Sequence, residues 1–208
     1  MKTLKFIFIA SLLLFFYDGC KKGDGDPLFS LRSRKARVTG DWKVTKYEEK
    51  DVNTSNTGTT TNNSSFDGST WAETTVNTGG TSTLTGTATY TFSFTKDGKY
   101  TMKRTITSTN GGLSYSTMWS EEGKWDFLSG VGDLKNKEYI GLTKTLLTII
   151  SGNSTNSTTF QGQSYIAWQI TTLKNKEMIL NSIDEDANSS SGGTSSTGNS
   201  AIEITLEQ

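Results

Sequence analysis

The sequence contains no histidine, one cysteine and one proline among its 208 residues. Without histidine there is no Ser/His or Cys/His catalytic pair and no ordinary zinc site, so most hydrolase and metalloenzyme chemistry falls away. A single cysteine forbids an intrachain disulfide. Neither sign of charge dominates, with 21 Lys and Arg against 21 Asp and Glu. The basic footprint of a nucleic-acid binder is missing, and so is an acidic tail. The longest apolar run, Phe6 to Tyr17, is broken by Ser11 and falls short of the roughly twenty residues that a spanning helix needs. What is abundant is threonine (35) and serine (25), with 21 Gly, 5 Trp, 7 Tyr and 10 Phe. Threonine suits a pleated, half-exposed surface, and serine and glycine suit turns. The rings can supply a core although only 32 % of the chain is hydrophobic. This composition predicts one all-β domain.

The N-terminus reads as an address. Lys2 and Lys5 precede the apolar run, which ends at Tyr17-Asp18-Gly19-Cys20. A basic start, a short apolar segment and a small residue at the cut describe a secretory signal peptide over residues 1–19. Gly19 before the only cysteine resembles a bacterial lipoprotein signal. That resemblance implies cleavage before Cys20, lipid attachment at Cys20 and a tether over residues 20–26. Several acyl chains on one cysteine would hold the protein on a membrane permanently.

Along the rest, Asp26-Pro27 reads as a helix start, with a short helix over 27–38 ended by Gly40. Its basic residues Arg32, Arg34, Lys35 and Arg37 are expected either to face solvent or to orient the protein on anionic lipid. Strands are expected over 41–50, 66–77, 81–95, 100–106, 113–127, 138–151, 160–173, 178–183 and 202–206, from alternating apolar residues. In the first, Trp42, Val44 and Lys46 share parity. Lys96-Asp97-Gly98, Asn110-Gly111-Gly112 and Lys174-Asn175-Lys176 read as hairpin turns. Residues 51–65, 152–159 and 184–200 are almost free of apolar side chains and read as loops. No helical crossover separates the strands, so antiparallel pairing is expected, and a meander of this length hides its edges best as a closed barrel.

Gly40-Asp41-Trp42 at the first strand resembles the G-x-W opening of lipocalins. The stretches Tyr90–Tyr100, Glu122–Trp125, Tyr165–Leu173, Glu177–Leu180 and Ile202–Leu206 are similar to lipocalin-like lipoproteins of the Bacteroidetes. The resemblance covers most of residues 27–208 and implies an up-and-down barrel of about 8–9 strands with a short N-terminal helix. It also implies a small-molecule ligand and anchorage in the cell envelope, most naturally the outer membrane of a Gram-negative bacterium. In lipocalins an Arg stacks on the first-strand Trp. Residues 201–208 hold no Arg, which leaves Arg32, Arg34 or Arg37.

Gly40, Trp42, Gly123 and Trp125, as two Gly-x-Trp units, are structural barrel plugs in this reading, since glycine lets backbone approach an indole. Tyr90, Phe92, Phe94, Tyr100, Met102, Trp119 and Trp168 are core or cavity lining. Arg104 shares parity with Tyr100 and Met102. It either points inward, needing an acidic ligand group or Glu121 or Glu122 as its partner, or is turned out by a bulge. Asp184-Glu185-Asp186 lacks calcium-loop spacing. No cofactor, metal or catalytic residue is marked, and no enzyme is expected. Two functions stay open: a membrane-tethered barrel binding a small apolar or amphipathic ligand, and a filled barrel serving as an interaction scaffold.

Overall fold

The computed structural model describes residues 32–55, 58–110, 113–128, 139–185, 189–191 and 194–208. The signal peptide, Cys20 and the Asp26-Pro27 helix start lie outside these. The described helix is α1 (Arg34–Val38), whose N-terminus is capped by the Ser33 side chain, accepting from the Ala36 N–H at 3.1 Å. Eleven antiparallel strands follow. They are β1 (Gly40–Ser55), β2 (Gly58–Phe66), β3 (Thr70–Asn77), β4 (Gly80–Phe94), β5 (Lys99–Asn110), β6 (Leu113–Phe127), β7 (Tyr139–Ser151), β8 (Ser154–Leu173), β9 (Glu177–Glu185), β10 (Ser189–Ser191) and β11 (Thr194–Glu207). Each pairs with its neighbour in sequence as far as β9, and β11 pairs with both β9 and β1, so ten strands close a ring. β10 pairs only with β11 and lies outside that ring.

The strand count exceeds the expected eight or nine because the polar segments are not loops. Residues 51–65 continue β1 and form β2, residues 154–159 begin β8, and 184–200 complete β9 and supply β10 and much of β11. Their signal was hidden because both faces of these strands are polar. Backbone pairing requires no apolar side chain, and threonine and asparagine add cross-strand bonds of their own. Asp51 accepts from Asn62 at 3.2 Å, and Asn62 accepts in turn from Thr75 at 2.9 Å.

The ring is not uniform along its axis. At one end, called lower here, β1 pairs directly with β4, Gly40 opposite Phe94 through Lys43 opposite Thr91. A β-bulge between Val44 and Lys46 then turns β1 aside, and the β2–β3 hairpin enters the fork. Its turn, Asp67-Gly68-Ser69, sits there with Gly68 at φ +93°, where a Cβ would come within 3.3 Å of the Thr45 carbonyl oxygen. The Asp67 carboxylate accepts from the Ser69 and Thr70 N–H groups at 2.9 and 2.7 Å, which holds its pKa below the usual carboxylate value. Ser69 in turn accepts from the Ala88 N–H at 2.7 Å. Eight strands thus close the lower end, and ten stand above the fork. The bulge also corrects the parity expected for Lys46. Tyr47 takes the inward place and is buried, while Lys46 is exposed and pairs with Glu48 and Glu203.

The core sits in the lower half. Seven rings run in contact from the fork to the floor: Trp71, Tyr47, Tyr90, Phe92, Phe94, Trp125 and Phe127, with neighbouring centroids 5.3 to 5.9 Å apart. Aliphatic residues from β7, β8, β9 and β11 pack against them, with Ile140, Leu173, Met178, Leu180 and Leu206 fully enclosed. α1 closes the floor. Val38 is buried, its carbonyl accepts from Trp42 Nε1 at 2.7 Å, and the Arg37 guanidinium donates to the Leu173 carbonyl. Arg37 is thereby withdrawn from the solvated basic face expected of this helix.

Candidate functional site

The two Gly-x-Trp units both lie at the lower end. Trp42 is 1 % exposed and Trp125 3 %. Trp125 Nε1 donates to the Thr95 carbonyl at 3.0 Å, and the Lys35 ammonium lies 5.7 Å from its ring centroid. Gly123 is required by sterics rather than by dihedral freedom. A Cβ there would stand 2.2 Å from the Thr143 carbonyl oxygen and 2.6 Å from the Tyr100 ring. Gly40, at φ +142°, faces the Gln208 side chain.

The residues grouped as one lining face divide between two environments. Phe92, Phe94 and Tyr100 are packed into the lower core, and Trp168 is buried on β8 opposite Ile140. Tyr90 stands at the boundary. Arg104 and Trp119 continue its rung across β5 and β6, and Met102 lies one step below, opposite Phe92; all three point inward and are half-buried. Ile202 from β11 is likewise only half-buried. Solvent still reaches these inward side chains, whereas Ile106, the next inward residue of β5, is buried.

Arg104 is in register with Tyr90 on one side and Trp119 on the other, with no bulge to turn it outward. Its guanidinium carbon is 4.6 Å from the Trp71 ring centroid, 4.7 Å from that of Trp119 and 5.7 Å from that of Tyr90. Neither proposed glutamate partners it. Glu122 is exposed. Glu121 is buried and receives the Tyr100 hydroxyl at 2.5 Å and the Lys144 ammonium at 2.7 Å. This Tyr100–Glu121–Lys144 cluster was missed in the sequence, because Lys144 reaches Glu121 from the adjacent strand only through the bulge between Lys144 and Leu146. Tyr47 donates to Glu49 at 2.8 Å. Burial raises the pKa values of Tyr47, Tyr90 and Tyr100 well above the ordinary phenol value, with neighbouring carboxylates adding to the effect. All three are therefore neutral donors.

One seam of the upper wall is thin. Among the described residues β8 pairs with β9 only from Gln169 to Leu173. Beside it the buried Trp168 Nε1 and Asn181 Oδ1 have no hydrogen-bond partner. The open clefts on the outside are of another kind. The one between Lys35, Asp97, Lys124 and Tyr165, about 320 Å³, lies on the outer wall and is rimmed by charge. Among the described residues no group of His, Cys, Asp and Glu has the geometry of a metal site. Asp184 and Glu185 belong to β9, and Asp186 lies outside the described residues.

No protein-family model matches the chain, and no curated protein and no solved structure matches it either.

Proposed function

We propose that this chain is a lipid-anchored, non-enzymatic protein of the cell envelope whose lipocalin-like barrel holds a small apolar or amphipathic molecule in its upper half. The observation that carries the binding reading is the inner face from the Arg104 rung upward, where Trp119 and Ile202 point inward and stay half-buried. Apolar walls with a few inward polar groups are the usual makeup of a ligand site. The anchor reading rests on Gly19-Cys20 after a short apolar segment, and it puts the barrel most naturally on a Gram-negative outer membrane. Native mass spectrometry of the chain, expressed with its leader in a Gram-negative host and released in mild detergent, tests both parts. A discrete mass added to the lipidated protein is expected. The lipidated mass alone would favour the second reading, an interaction scaffold, for which the filled lower half argues. Cys20→Ser is expected to leave the membrane fraction, and its retention there would end the anchor reading.

A further inference from the structure

We propose that the molecule held in the upper barrel is an amphipathic organic anion whose charged group is bound by Arg104. This rests on the reading that the upper barrel binds a small molecule, and it names the chemical class. Trp71 and Trp119 both lie within 5 Å of the guanidinium and attract its charge through their ring faces. Ring faces carry no lone pairs, however, and a guanidinium has five N–H donors that call for oxygen. Arg104 Nε is buried without an acceptor. Trp71, only 2 % exposed, likewise has its Nε1–H buried without one. Two adjacent buried donors without an acceptor are costly to a fold unless something supplies oxygen atoms.

The inward carboxylates nearby do not supply them. Glu121 is engaged by Lys144 and Tyr100, and Glu49 by Tyr47. Among the described residues none forms an ion pair with Arg104. A carboxylate or sulfonate would bring both the missing acceptors and the opposite charge, with two oxygens to which the guanidinium fork can donate in parallel. The rest of such a ligand has apolar surface to lie on. Ile106 follows Arg104 on the inner face of β5, Ile149 stands opposite Trp119 on β7, and Ile202 faces in from β11.

The test uses two dyes that differ by one group, 8-anilino-1-naphthalenesulfonate and the neutral N-phenyl-1-naphthylamine, titrated into the full chain by fluorescence. The sulfonate is expected to bind at least about tenfold tighter than the neutral dye. Arg104→Gln, folded by circular dichroism, should remove that preference and leave the neutral dye within about twofold. Glu49→Gln, which lowers the competing negative charge, should tighten the sulfonate. Should Arg104→Gln fail to fold, displacement of the neutral dye from the unmodified chain by dodecanoate but not by dodecanol decides the same point. Equal sulfonate affinity with and without Arg104, or equal displacement by acid and alcohol, overturns the anion while leaving a binding barrel in place. Failure of both dyes to bind the folded chain overturns the binding barrel as well.

Discussion

The lower and upper halves of this barrel are made of the same strands yet held by different forces. Below the fork each strand alternates an aromatic or aliphatic residue inward with a polar one outward, and the rings touch from Trp71 to Phe127. Above it the outer face is paired by hydroxyls, and the inner face carries fewer apolar residues, among them Ile106, Trp119 and Ile202. Thr74 and Thr83 are 3.3 Å apart across β3 and β4, Thr107 donates to Ser116 at 3.3 Å, and Thr148 and Ser157 are 3.2 Å apart. Each cross-strand pair of this kind contributes only about 0.2–1 kcal/mol. A large ring fully buried contributes several times that. The difference teaches that register is set where the core is and carried outward by hairpins. Once Tyr90 is fixed opposite Arg104 and Phe92 opposite Met102, the backbone ladder continues through Ala88 and the buried Ile106 to Gly86 and Ser108, where no side chain is buried.

The comparison can be broken most severely at its lower end. Trp42→Ala removes a ring that is 1 % exposed and bonded to the Val38 carbonyl. It should cost about 3–5 kcal/mol, read as a fall in the urea midpoint, and an unchanged midpoint would deny the plug role. Alkali should act next. The pKa values of Tyr47, Tyr90 and Tyr100 are raised in the fold, so above pH of about 10 the unfolded chain loses phenolic protons that the native state keeps. Their contribution to stability is whole below that pH and is lost as pH rises toward the raised folded values, by about 1.4 kcal/mol per phenol for each unit. Denaturant midpoints measured from pH 8 to 11 should fall steeply beyond 10, and the triple variant to Phe should flatten the fall. Gly123→Ala forces a Cβ against the Thr143 carbonyl and the Tyr100 ring and should cost about 1–3 kcal/mol by overpacking, seen in the thermal midpoint. Smallest of all, Thr85→Val on the exposed outer face of β4 should stay within about 0.5 kcal/mol in the same measurement. A large loss there would show that the upper half has tertiary support of its own.

How much was legible follows the same division. The all-antiparallel ring, the hairpin at Lys96-Asp97-Gly98 and the inward face from Tyr90 to Phe94 were readable, because aromatic alternation marks a half-buried strand. Residues 51–65 and 184–200 were unreadable as strands, since Asp51, Asn62 and Thr75 look the same in a loop as in a ladder whose two faces are both polar. The bulge at Thr45 was equally silent, and it exchanged Lys46 for Tyr47 on the inner wall. At the candidate site, parity left Arg104 either inward or turned out by a bulge, and the unbroken register of β5 makes it inward. Parity could not disclose that Trp71, from a strand with little apolar character, completes the stack, or that Lys144 rather than Arg104 takes Glu121. Those pairings depend on the register between neighbouring strands and on where bulges shift it, and residue spacing within one strand carries no such information.

The hairpin wedged between β1 and β4 gives the barrel a taper. For strands of equal spacing and tilt, girth scales with strand number. Passing from eight strands to ten therefore widens the ring by about a quarter and enlarges its cross-section by about half again. The fork at Thr45 and Gly68 lets that funnel be resized independently of its spout. Residues can be added or removed at the β1–β2 and β3–β4 turns, which lengthens or shortens the upper wall, while the register Gly40–Phe94 that closes the narrow end stays untouched. A lineage could vary the mouth of such a barrel freely and keep its foundation.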